Sequence, residues 1–123
     1  MSHSEEYREL NGAERQLLDR LLEARFSGRA EVAEQLKSCR VRTLDDDGCL
    51  EFLILSDIKA NVEHSVPVEA EAKDENGNKI HMLLHVVGGK VDELEFYAES
   101  DSPITQLPPA KEWELIVLPS PPQ

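Results

Sequence analysis

The chain has 123 residues and a formal charge of −12, from 25 Asp and Glu against 13 Lys and Arg; with 40% hydrophobic and 31% charged residues it reads as a soluble globular protein, not a disordered one. Such a chain repels phosphate, which argues against nucleic acid and anionic membranes as partners and favours a basic protein surface or a cation. No apolar run approaches the roughly 20 residues that cross a bilayer, and the opening MSHSEEYREL lacks the basic-then-apolar order of an export signal, so the expected location is the cytoplasm.

This length suits one domain with a single core. The layout expected is a flexible N-terminal segment at 1–10, a single α+β domain at 11–118 and a mobile Pro-rich tail at 119–123. In the stretch NGAERQLLDRLLEARFSG, Asn11 is an N-cap, Glu14 completes a capping box, and Gly28 stands where a helix stop is expected. Leu17, Leu18, Leu21 and Leu22 form its apolar stripe. A second helix over residues 29–37 repeats the pattern with Val32, Ala33 and Leu36 and is short enough to need support from a core.

From residue 39 the period changes to two. CRVRTLDDDGCLEFLIL reads as strand, Asp-Asp-Gly turn, strand, and VPVEAEAKDENGNKIHMLLHVV as strand, Asn-Gly turn, strand, after which GGK turns the chain into VDELEFYAE. The intervening SDIKANVEHS is polar and reads as a loop. WELIVL is either a sixth strand or a segment lying across the sheet. The fold class expected is therefore α+β: two N-terminal helices packed on one face of an antiparallel β-meander of about five to six strands.

Charge is uneven along this layout. Residues 1–40 hold eight acids and seven bases, and residues 41–123 hold seventeen acids and six bases, so the excess lies in the sheet region. Register decides which face carries it. With Glu75, Asn76 and Gly77 as a three-residue loop, Val68 faces Leu84, Ala70 faces Met82 and Ala72 faces Ile80 on one side, while Glu71 faces His81 and Glu69 faces Leu83 on the other. A similar loop at Val87, Gly88 and Gly89 pairs Met82 with Leu94 and Ile80 with Phe96. The opposite parity would bury glutamates among leucines, at several kcal/mol per unpaired charge.

The candidate site is accordingly the polar face, comprising Glu69, Glu71, His81, His85, Glu93, Glu95 and Tyr97. Residues four apart on a strand lie about 13 Å apart, so His81 and His85 do not share one metal ion. A cation site would need His81 with cross-strand glutamates such as Glu71 and Glu95, and a solvated face whose carboxylates attract imidazolium is the favoured reading over it. Neither metal nor cofactor is expected.

Other candidates carry less. Cys39 and Cys49 lack a CxxC partner and read as free packing thiols, with a pairing of either to His81 as nucleophile the minor alternative. Gly88, Gly89 and Lys90 lack phosphate-loop spacing and close a hairpin. His3 and His64 fall in a tail and a polar loop. Trp113 reads as a core or edge-strand residue before an interface anchor.

The leucine-rich first helix, FSGR at Phe26–Arg29, LDDDG, VPVEAE, IHMLLHV, GK, ELE and SPI together resemble a family of small bacterial proteins labelled only as a domain of unknown function. The likeness runs to Ile104, leaves Trp113 outside, and has Gly88 where aspartate is expected in many relatives. It implies a bacterial, cytosolic α+β domain and no particular reaction. Two functions compete. The favoured one is a non-enzymatic interaction module whose acidic face binds a basic protein, for example a toxic partner that it neutralises. The other is a small-molecule binder or enzyme of the cone-shaped nuclear-transport-factor-like type, with a His/Glu acid/base pair such as His81 and Glu71 lining a covered pocket.

Overall fold

The computed structural model describes residues 6–101 and 103–117. The first helix, α1 at Gly12–Leu21, begins where its capping box closes: the Asn11 side chain accepts from Glu14 N at 2.8 Å, and the Glu14 carboxylate accepts from Asn11 N at 2.9 Å. It ends well before Gly28. That glycine instead opens α2, Arg29–Lys37, at a φ of 86°, and Val32 N donates back to its carbonyl at 2.9 Å. A Cβ there would stand 3.0 Å from Val62 Cγ1 and 3.2 Å from Asn61 O, so the position needs glycine both for its left-handed backbone and for the loop packed on it.

Six strands follow: β1 Arg40–Thr43, β2 Leu50–Leu53, β3 Val68–Lys73, β4 Lys79–Val87, β5 Lys90–Ala98 and β6 Glu114–Ile116. All pair antiparallel in one sheet of order β1-β2-β5-β4-β3-β6. The α+β class with two N-terminal helices holds, but the strands do not form an unbroken meander. β3, β4 and β5 are sequential, whereas the β1–β2 hairpin docks on β5, its chain crossing the end of the sheet through residues 54–67. Short turns fix hairpins, and a 14-residue connection leaves the docking edge to tertiary packing.

Alternation on the strands puts Val68, Ala70, Ile80, Met82, Leu84, Leu94 and Phe96 into the core with Leu17, Leu18 and Leu21 of α1 and Val32 and Leu36 of α2. Each large side chain so buried contributes about 1.5–3 kcal/mol. Gln35 is the one buried polar residue among the described residues: its Nε2 donates to Ile58 O and Gly89 O, each at 2.8 Å, and its Oε1 accepts from Val91 N at 2.9 Å. α2, the 56–65 loop and the β4–β5 turn are thereby tied together.

The N-terminal segment joins the domain before Asn11. Arg8 exchanges backbone hydrogen bonds with Val41 of β1 at 2.7 and 2.8 Å, and Leu10 is buried, so residues 7–10 cover the β1 edge. Residues 1–5, and the tail expected at 119–123, lie outside the described residues. WELIVL resolves into β6 on the β3 edge, preceded by a short 3-10 helix at Ala110–Glu112. Trp113 is fully buried beside Phe96; its Nε1 donates to Pro108 O at 3.0 Å, and its carbonyl accepts from the Arg20 guanidinium at 2.9 and 3.1 Å. Among the described residues, no helix is long and apolar enough to cross a membrane.

Candidate functional site: the open face of the sheet

The β3–β4 register is as the sequence indicates: Asp74 N donates to Asn78 O at 2.9 Å around the loop Glu75–Gly77, and Glu71 stands opposite His81. The β4–β5 turn departs from the three-residue loop expected. Gly88 and Gly89, at φ of 60° and 81°, form a two-residue turn of the kind that matches strand twist. Alone it would reverse every side chain of β5. A bulge restores the parity, because Val86 pairs with Val91 but His85 pairs with Glu93, leaving Asp92 as the extra residue. Met82 therefore faces Phe96 in place of Leu94, Ile80 faces Ala98 in place of Phe96, and on the open side His81 faces Tyr97.

All seven residues singled out in the sequence share this open face, but with different partners. His81 Nε2 meets Glu99 Oε2 at 2.5 Å, and its ring stacks on Tyr97 with centroids 4.6 Å apart and planes 14° apart. His85 Nε2 meets Glu95 Oε1 at 2.8 Å. Glu71 lies 3.8 Å from Lys79 Nζ. The set of His81, Glu71 and Glu95 is thus not assembled, nor is a His81–Glu71 acid/base pair. Among the described residues, no three His, Cys, Asp or Glu side chains converge as metal ligands.

The face extends further than the sequence reading reached. β2 adds Glu51, β6 adds Glu114, and Glu99 follows β5. Register lines Arg42, Glu51, Glu93 and His85 across four strands. Glu51 Oε1 accepts from Arg42 Nη2 and from the Tyr7 hydroxyl, both at 2.6 Å, and the Arg42 guanidinium lies 5.1 Å from the Tyr7 ring centroid. The alternation of LEFL marks Glu51 as outward-facing; what the sequence did not carry is the placement of β2 beside β5.

Electrostatics distinguish the carboxylates. Glu69, Glu93 and Glu114 have no basic side chain within ion-pair distance among the described residues. Burial pushes the Glu93 carboxyl up, against the pull of His85, and Glu95, Asp92 and Asp45 add to the rise. Partial burial, then Glu69, Glu99 and Glu95, push the Tyr97 phenol up as well. The hydrogen bond from His81 holds exposed Glu99 below the usual carboxylate range. Tyr97 is 42% exposed, and Leu53 and Val117 also remain uncovered.

This surface has the chemistry to receive guanidinium and ammonium groups: an exposed aromatic ring for stacking, with carboxylates beside it to accept hydrogen bonds. Cys39 and Cys49 do not take part. Both are free thiols buried in the core; Cys49 Sγ is bonded to the Phe96 backbone, and burial pushes that thiol up to about 12.

A family model matches residues 7–108 and is described as a domain of unknown function, DUF6984. No curated protein and no solved structure matches the chain.

Proposed function

Taking as premise that the chain belongs to this family of unknown function, we propose that it is a non-enzymatic interaction module of the cytoplasm, whose acidic sheet face binds a basic protein. The observation that supports this reading most directly is the set of carboxylates without an ion-pair partner among the described residues, Glu69, Glu93 and Glu114, on the same face as the Tyr97–His81 stack. A net charge of −12 favours the encounter over long range, and the ring with its carboxylates favours arginine once contact is made.

The nuclear-transport-factor-like alternative needs a His/Glu pair in a covered pocket; His81 bonds Glu99 and His85 bonds Glu95, but on an open face where Tyr97 stays 42% exposed, which favours the interaction reading. Its test is affinity capture from host-cell lysate with wild type beside a Glu69→Lys, Glu71→Lys, Glu93→Lys, Glu95→Lys variant. Binding of each captured protein is then measured by titration at about 0.05 and 0.3 M salt. A basic protein is expected at equimolar ratio with wild type, at least tenfold weaker at the higher salt and absent with the variant. If both baits retain the same proteins, the reading fails.

A further inference from the structure

On the core side of the sheet, a half-open cavity of about 520 Å³ lies between the start of α1 and the segment Gln106–Ala110. Its floor is Leu50, Leu94 and Phe96, and Leu17 and Leu107 wall it. We propose that this cavity binds a small uncharged organic molecule with an apolar body and an amide-like or hydroxyl group, at a site separate from the acidic face.

The volume falls within the range of roughly 300–1,000 Å³ common to ligand pockets. Small residues keep it open. Ala13 stands at the first turn of α1, and a Cβ on Gly48 would already lie 3.7 Å from Leu107 Cδ1, so neither wall carries a side chain that fills the space.

Charge selects the ligand class. Three other concavities have charged linings: Lys73, Asp74, Glu75 and Glu112 in one, Glu71, Lys73, Lys79, Glu112 and Glu114 in the next, and Asp19, Arg20, Glu23 and Lys111 in the third. Among the described residues this one has Glu14 as its only acidic lining residue, and that carboxylate is occupied by the Arg8 guanidinium at 2.8 and 2.9 Å and by Asn11 N at 2.9 Å. A cation finds no free counter-charge there, and an anion meets a protein of charge −12. At the mouth, Gln16 and Gln106 present primary amides whose side chains bond no protein group among the described residues. Each offers two donors and an acceptor, which suits a neutral polar group on an otherwise apolar ligand.

The probe is N-phenyl-1-naphthylamine, an uncharged diarylamine of three aromatic rings with one N–H, titrated into the full chain by fluorescence and followed in amide correlation spectra. Expected are a saturable one-to-one rise in fluorescence and shifts at the amides of Leu17, Leu50, Leu94 and Phe96. Ala13→Trp closes the mouth from α1, and Gln106→Trp closes it from the opposite wall. Each is expected to weaken binding at least tenfold with an unchanged melting temperature, while Glu69→Lys and Glu95→Lys bind as wild type. Absence of saturation, shifts confined to the open face, or full binding by both tryptophan variants would overturn the proposal. Should one of those variants fail to fold, the other and the shift map decide.

Discussion

Cys49 illustrates how a single side chain can be chemically silenced by its surroundings. Burial raises its thiol to about 12, and its sulfur both accepts from Phe96 N at 3.2 Å and donates to Phe96 O at 3.5 Å. At pH 8 only about one such thiol in ten thousand is ionised, and the thiolate is the species that reacts. Cys39 is likewise pushed up by burial. An aromatic disulfide reagent at pH 8 should therefore label neither cysteine in the folded chain and both promptly in denaturant. Labelling of native Cys49 at the rate of an exposed thiol would refute this account. The sequence indicates free packing thiols, since no export signal is seen and the two cysteines fall near opposite ends of the first hairpin; the backbone bonds to Phe96 depend on β2 lying beside β5, which no local signal encodes.

At the scale of elements, the limits of the sequence follow from what fixes each feature. The β3–β4 register was legible because Asp74 and Gly77 define one loop and the hydrophobic alternation allows one parity. Gly88 and Gly89 form a two-residue turn in place of the three-residue loop expected, and the bulge at Asp92 keeps the parity while moving each partner beyond it by two. The seven residues therefore share one face and Glu71 stands opposite His81 as the sequence indicates, but the His81 ring bonds Glu99, which lies outside that set. Gln35 went unnoticed for a different reason: it reads as one more polar residue on an amphipathic helix, yet it satisfies three backbone groups from two other segments. Gln35→Leu keeps the volume and strands Val91 N–H and Ile58 O, while Gly89 O keeps the bond from Ala60 N at 2.8 Å. Urea unfolding should show a loss of about 2–4 kcal/mol. A loss below about 0.5 kcal/mol would mean that water reaches these groups and that the clamp is not needed.

Over the whole molecule, the acidic face opposes the stability of the fold that presents it. Glu93 is the clearest case, half-buried, with Glu51 and His85 opposite, Glu95 and Asp92 on its own strand, and Asp45 from the β1–β2 turn. A carboxyl whose folded pKa lies above its unfolded value costs stability while it is charged; the cost is present above the folded pKa and disappears below the unfolded one. Glu14 behaves in the opposite sense. Burial would push it up, but Arg8 and the Asn11 N–H hold it below the usual range, so its contribution is present above the ordinary carboxylate pKa and is lost as pH falls through its folded value. Glu93→Gln should then raise the melting temperature by about 1–2 °C at pH 7, allowing for solvent screening at this partly exposed site, with the gain shrinking as pH falls into the carboxylate range. The same substitution should weaken any basic partner. Stability gained together with binding lost would mark Glu93 as a residue whose value lies in contact with another molecule. If Glu93→Gln instead lowers the melting temperature at pH 7, the crowding of carboxylates is compensated within the fold, and the electrostatic argument for an acidic binding face loses its strongest member.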